Sequence, residues 1–331
     1  MNRRRQLVLI ALSVVILASL ASYLVVRVLG IQTAPRLIER GGIESDATPI
    51  CVAGSSLIYY GLEWDQISKA VGRPINKCGV PGASPSELEQ VVAGVTSDLT
   101  VVGVSLYDLN EHLLSDFRSE FVPFTTTIRD LTSCDADWAF AKRLVGNYAL
   151  TFVRTLYPTA GRSLGVMVGV RRQMREWLGK GGADVETGPT FDRKGFPTER
   201  IDTWPEGRTM RNLSQVHAGC QGRWSFDGPK HLAFGRLLAR AAQRGNVLVV
   251  VLPVSPPFLK EFGSEPVRQH FENALADARK NNPKVEWIRI DEMPSLQSSR
   301  YYWDLVHLNA EGQGLATPVV LERLKAMLGS Q

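Results

Sequence analysis

No two of the four cysteines (Cys51, Cys78, Cys134 and Cys220) have zinc-ligand spacing, so a structural zinc module is excluded as the organising principle of the chain. No extended lysine- or arginine-rich run lies outside the N-terminus. The net charge of +5 owes four of its five units to Arg3, Arg4, Arg5 and Arg27, which leaves +1 for the rest and gives no electrostatic footprint for nucleic acid. There is no internal repeat, which excludes a solenoid or propeller. Residues 1–30 contain no acidic side chain, and from Leu7 to Val26 there is no charge at all. What is present is an ordinary core-forming composition. The chain is 44% hydrophobic and 21% charged over 331 residues, enough for one large domain or two small ones and unlike a disordered chain.

The chargeless stretch "QLVLIALSVVILASLASYLVV" follows three arginines. Roughly 20 apolar residues at 1.5 Å rise cross the ~30 Å hydrocarbon core. The arginines before it place residues 1–6 in the cytoplasm and the remainder across the membrane. "SLA" (Ser19–Ala21) resembles a signal-peptidase site, but the apolar run continues beyond it, which favours an uncleaved anchor. No cysteine closes the run, so it is not read as a lipoprotein signal. The expected organisation is a cytoplasmic tip and transmembrane anchor over 1–30, a linker over 31–47 with at most one helical turn, and an extracytoplasmic (periplasmic) domain over 48–331.

Within that domain the pattern alternates. "TPICVAG", "PINKCG", "LTVVGVSLY", "NVLVVVLPVS" and "VEWIRID" read as short strands. Between or after them lie segments with helical spacing: "SLIYYGLEWDQISKAVG", "SPSELEQVVAGV", "PKHLAFGRLLARAAQRG", "EPVRQHFENALADARKNN" and "NAEGQGLATPVVLERLKAML". Ser84 followed by Glu87 reads as a capping box. Near-continuous apolar strands alternating with helices predict an α/β three-layer sandwich with about five parallel strands. The alternation breaks between about 114 and 228, which reads as a long, mostly helical insertion after the third of these strands. Cys134 and Cys220 bracket its least regular part and are expected to be bonded, which an exported domain permits. Cys51 and Cys78, near the ends of the first two of these strands, are expected to be neighbours.

In open α/β sheets ligands bind beyond the carboxyl ends of the strands. Those ends carry "AGSSL" (Gly54–Leu57), "CGVPGAS" (Cys78–Ser84), "SLYDLN" (Ser105–Asn110) and, before the last helix, "WDLVHLN". Ser56 falls at a strand-to-helix turn, where unpaired N–H groups and the helix dipole favour an oxyanion. A serine at such a place is also an ordinary N-cap. His307 could take the Ser56 proton and Asp304 could orient the imidazole. Gly82 would let backbone approach a substrate and offer its N–H. His112 follows the third strand. Tyr302 and Trp303, beside Asp304, read either as a sugar-stacking platform or as core.

"AGSSL", the Gly82 turn and "DLVHLNAEG" resemble blocks one, two and five of the SGNH/GDSL hydrolase superfamily. The resemblance covers residues 48–113 and 229–328. It implies a flavodoxin-like fold, a catalytic triad of Ser56, His307 and Asp304, and oxyanion donors at Ser56 and Gly82. The family's block-three asparagine has no counterpart, because Tyr107–Asp108 stands where Asn-Asp would. Tyr107, Ser105 and Asn110 are the candidates for the third donor. Gly-Ser-Ser behind a single anchor is similar to membrane-tethered members such as the teichoic-acid D-alanyl-transfer protein and the alginate O-acetylation proteins. These imply acyl transfer to a cell-envelope or exported polysaccharide beside a multi-spanning acyltransferase, with no cofactor and no metal. A carbohydrate esterase (deacetylase) and a non-catalytic SGNH-like binding or assembly protein stay open as alternatives. The orientation predicts that a reporter active only outside the cytoplasm, fused after Gln331, is active; activity of a cytoplasm-only reporter at that position instead would overturn it.

Overall fold

The computed structural model describes residues 46–78, 82–113, 190–193, 195–220 and 222–329, the backbone of Ile38–Gly41, and Leu20. The apolar span from Leu7 to Val26, Leu20 apart, and residues 114–189 of the insertion lie outside them. Among the described residues no helix is long and apolar enough to cross a membrane.

Five strands are parallel: β2 (Ile50–Ala53), β3 (Ile75–Cys78), β4 (Leu99–Val104), β5 (Asn246–Val251) and β6 (Glu286–Arg289). A sixth, β1 (Ile38–Gly41), pairs antiparallel with β3 and closes one edge, giving the order β1-β3-β2-β4-β5-β6. This corrects the expected linker over 31–47, part of which is an edge strand. Its "IERG" has no apolar alternation to betray it, and pairing with β3 supplies what its own pattern does not. The central strands β2 and β4 are buried along their whole length, as their continuous apolar runs demand.

The helices follow the sequence signals. They are α1 (Ser56–Gly61), α2 (Trp64–Val71), α3 (Pro85–Ala93), α4 (Leu106–Leu109), α5 (Glu206–Cys220), α6 (Pro229–Ala242), α7 (Pro256–Phe262), α8 (Glu265–Asn281) and α9 (Ala310–Gly329). The capping box at α3 is formed. Ser84 N–H donates to Glu87 Oε2 at 2.7 Å, and Glu87 N–H donates to Ser84 Oγ at 3.4 Å. On one face of the sheet α3 packs on α6 and α6 on α8; α9 packs on α1 and α2. Right-handed crossovers put this second group on the opposite face.

Because β2 leads leftward to β3, and β3 returns past β2 to β4, the chain reverses direction at the β2/β4 boundary. That boundary is the topological switch point, where a crevice opens beyond the strand ends. α1 reaches it only because Gly54 and Gly103 have no side chains: a Cβ on either would overlap Ile58, a fully buried residue of α1.

Cys51 and Cys78 are buried, free and adjacent, and the neighbouring Cys78 together with burial pushes the Cys51 thiol far up. Cys220 is also a buried free thiol, so the expected bond to Cys134 is not formed; Cys134 itself is outside the described residues.

The described ends of the insertion are tied together by a polar knot. Glu111 accepts the backbone N–H groups of Lys230 and His231, both at 3.0 Å, at the start of α6. The buried Lys230 ammonium donates to the carbonyl oxygens of Asn110, at 2.7 Å, and Leu113. Asn110 Oδ1 accepts from Ser225 N–H at 3.2 Å. Burial outweighs the Lys230 charge and the N–H bonds and pushes the Glu111 carboxyl up to about 7 from 4.5. A carboxyl raised in the folded state favours folding while protonated. That contribution is complete below about pH 4.5 and is lost as pH rises through about 7. Glu111→Gln is therefore expected to flatten the dependence of Tm on pH over that window, measured by thermal melts; an unchanged slope would show that Glu111 does not titrate there.

Candidate active site

Ser55 and Ser56 open α1. Ser55 is the N-cap, its Oγ accepting the Leu57 N–H at 3.2 Å. The cap role therefore falls to Ser55, and Ser56, the first helical residue, has its hydroxyl for other use.

The partner loop, 302–309, is folded by its own short-range bonds. Tyr302 and Leu308 form an isolated antiparallel bridge, and Trp303 N–H donates to the His307 carbonyl at 3.2 Å. Asp304 Oδ1 accepts the N–H groups of Val306 at 2.9 Å and His307 at 2.7 Å. This is a side-chain turn of the kind aspartate favours. Asn309 then caps α9 by accepting the Gly312 N–H at 3.1 Å. The loop is anchored to α1 by Gln313, a fully buried residue whose amide donates to the carbonyl oxygens of Tyr60 at 2.6 Å and Leu308 at 3.2 Å.

The result brings together the three residues singled out from sequence. His307 Nε2 lies 2.7 Å from Ser56 Oγ, and His307 Nδ1 lies 2.7 Å from Asp304 Oδ2. Burial would raise the Asp304 carboxyl, but the His307 charge and the N–H bonds outweigh it and hold it below the usual carboxylate range. An ionised Asp304 accepts from Nδ1–H, which leaves Nε2 as the acceptor of the Ser56 hydroxyl hydrogen. The arrangement can deprotonate Ser56 as it attacks an electrophile.

Gly82 has φ +73°, a left-handed conformation that glycine adopts without cost. Of the three candidate third donors, two are committed elsewhere. Ser105 Oγ donates to Asp108 Oδ2 at 2.8 Å and accepts the Asp108 N–H at 3.1 Å. Asn110 is fully buried in the insertion knot, with Nδ2 donating to the Arg223 carbonyl at 3.3 Å. Tyr107 remains. Burial, Asp108 and Asp304 push its phenol up to about 12, so it keeps its hydrogen at neutral pH. His112 belongs with the knot, its N–H bound to Asn110 Oδ1 at 3.3 Å.

The two aromatics of the expected sugar platform are placed differently. Tyr302 is buried and donates its hydroxyl to the Leu296 carbonyl at 3.2 Å. Trp303 stacks on His307, with ring centroids 5.3 Å apart and planes inclined by 23°. Tyr60, one turn after Ser56, meets the same imidazole edge-on at 6.3 Å and is 44% exposed. Sequence reading also missed Asp108, whose carboxyl accepts from Ser105 Oγ at 2.8 Å. A short polar loop hid it.

No protein-family model matches the chain, and no curated protein matches it either. The geometry therefore carries the functional argument.

Replacing Trp303 by Leu removes the aromatic face behind His307 and is expected to lower kcat by roughly 3–10-fold with KM unchanged, the size of one aromatic pair. Trp303→Phe should stay within about threefold. Equal kinetics for Trp303→Leu and the unsubstituted protein would show that the stack is packing alone.

Proposed function

We propose that the chain is a membrane-anchored extracytoplasmic serine acyltransferase of SGNH type, acting through an acyl-enzyme on a cell-envelope or exported polysaccharide. The observation that carries the catalytic part is the continuous hydrogen-bonded chain Ser56–His307–Asp304 at the switch point of a parallel sheet. Ser56 Oγ attacks an acyl carbonyl while His307 Nε2 takes its hydrogen. The N–H groups of Ser56 and Gly82 face the developing oxyanion, with Tyr107 as candidate third donor. Collapse breaks the bond to the leaving group, which departs with the hydrogen held by His307. A sugar hydroxyl then gives its hydrogen to Nε2 and attacks the acyl-serine, releasing the ester and restoring Ser56. The reading calls on no cofactor or metal.

Transfer is favoured over hydrolysis by three features. An anchor of residues 1–30 would hold the site at the membrane surface, where lipid-linked or exported glycans pass. A missing asparagine suits an enzyme handed an activated acyl group by a multi-spanning partner better than a fast general esterase, since one oxyanion donor is worth on the order of 10²–10³ in rate. The sequence of the insertion, rich in arginine and aromatic residues, suits a partner surface. The absent asparagine also supports a second reading, a non-catalytic binding protein of the same fold, and an esterase would use the same triad.

A fluorophosphonate probe is expected to label Ser56, and Ser56→Ala should abolish labelling while leaving the fold intact. With an acyl donor and an oligosaccharide acceptor, acylated sugar should exceed free acid. Free acid dominating at saturating acceptor means an esterase, and no labelling means a binding protein.

A further inference from the structure

Part of the insertion is bonded directly to the catalytic loop, and the proposed reaction leaves it without a role. Residues 197–201 offer alternate backbone groups to the two ends of the 302–309 loop, as one edge of an extended strand does. Ile201 N–H donates to the Tyr302 carbonyl at 2.7 Å, where the loop begins. Ala310 N–H, just past its end, donates to the Pro197 carbonyl at 2.8 Å. Between these two bonds Asn309 Nδ2 donates to the Glu199 carbonyl at 3.3 Å. The same nitrogen donates to the Arg300 carbonyl at 2.6 Å, and Asn309 Oδ1 accepts the Gly312 N–H at 3.1 Å. Asn309 is buried, and its amide is fully engaged. Capping α9 needs only the oxygen, so the two donations are surplus to that task. Glu311 crosses the same seam, binding Arg200 at 2.6 Å and Arg300 at 2.8 Å, but at the surface such pairs contribute little.

We propose that residues 197–201 brace the catalytic loop, and that Asn309, which joins brace to loop, is a positioning residue for His307. The two contacts of the imidazole differ in what they require. Asp304 and His307 share one loop, so their 2.7 Å contact travels with it. Ser56 belongs to α1, so the 2.7 Å contact between its Oγ and His307 Nε2 exists only while the loop stands in one place. Gln313 ties the loop to α1. The brace ties both ends of the loop to the insertion, which thereby becomes part of the catalytic frame. Reacting atoms must be held to a fraction of an ångström, and small misplacements cost large factors in rate. The inference rests on Ser56 being the nucleophile and His307 its base.

The test uses the full chain in detergent, with a fluorophosphonate and p-nitrophenyl acetate as probes. Asn309→Ser keeps an oxygen able to cap α9 but is too short to reach the Glu199 and Arg300 carbonyls. It is expected to slow labelling of Ser56 roughly 10-fold, the size of one or two neutral hydrogen bonds, and to lower kcat for the small ester with KM unchanged. Asn309→Ala, which loses the cap as well, should be about as slow. Ala310→Pro reaches the brace from its other partner. Proline is well accepted at the first position of a helix, so α9 should persist by circular dichroism while the bond to Pro197 is lost, and labelling should again slow roughly 10-fold. A loss confined to Asn309→Ala, with Asn309→Ser labelled at the unsubstituted rate, would make Asn309 a helix cap alone and overturn the proposal. A lowered Tm with kcat unchanged in Asn309→Ser, or unchanged labelling in Ala310→Pro, would overturn it too, and each of these outcomes leaves Ser56 as nucleophile. If Asn309→Ser does not fold, Ala310→Pro decides by the same criteria. If the unsubstituted protein is not labelled at all, the nucleophile reading falls and this inference with it.

Discussion

The close seating of α1 on the sheet governs the rest of the site. Ile58 occupies the space that side chains at Gly54 and Gly103 would fill, so the first turn of α1 lies directly against β2 and β4. Helix dipole and unpaired N–H groups act only over the first turn. A helix held one side chain's width further out would carry Ser56 away from the His307 loop and spoil the 2.7 Å contact. The glycine of "AGSSL" thus does packing work: it admits Ile58, and Ile58 fixes the height of the serine.

The second half of the site comes from 251 residues away in sequence, and its register is set by polar rather than apolar contacts. The 302–309 loop is almost self-sufficient, with Asp304 bonding within its own turn and Asn309 capping the next helix. A loop built this way keeps its shape but could dock anywhere. Gln313 removes that freedom, because its buried amide reaches both the last turn of α1 and the end of the loop. Ser255 N–H, bound to the Leu305 carbonyl at 3.0 Å, adds a hold from the end of β5. Unpaired buried polar groups are costly, so each of these bonds selects one docking register over its neighbours.

This division explains what could be read from sequence. β2, β4 and β5 were legible because strands buried on both faces are written as unbroken apolar runs, and β3 and β6 from their place in the strand–helix alternation. The Ser56, Gly82, Asp304 and His307 positions were legible because each lies where such a run turns polar. β1 was not, since a four-residue edge strand owes its structure to its neighbour rather than to its own pattern. The third-donor question also escaped. Ser105, Tyr107 and Asn110 are two or three residues apart in and around α4, yet Ser105 caps that helix, Tyr107 meets Phe258 edge-on and Asn110 joins the insertion knot. Asn110 takes its direction from Arg223 and Ser225, more than a hundred positions away, and no local pattern encodes that. Tyr302 is turned into the core by its bond to the Leu296 carbonyl, and Trp303 lies against His307.

Three carboxyls within this small region are treated in three different ways, and the differences follow from their partners. Asp304 is held below the usual range because the His307 charge and two backbone N–H groups outweigh its burial. Glu111 also takes backbone N–H groups and lies near Lys230, yet burial wins and its carboxyl is pushed up to about 7. The Lys230 ammonium also donates to two carbonyl oxygens, so its charge is shared between them and Glu111. Asp108 lies between them, raised by burial but supplied with the Ser105 hydroxyl. A group that must stay ionised to hold an imidazole is given charge and N–H bonds. A group that only ties chain ends together can tolerate a proton. By that criterion Asp108, which takes the Ser105 hydroxyl at the cap of α4, belongs with the groups that hold backbone in place rather than with the one that holds the imidazole.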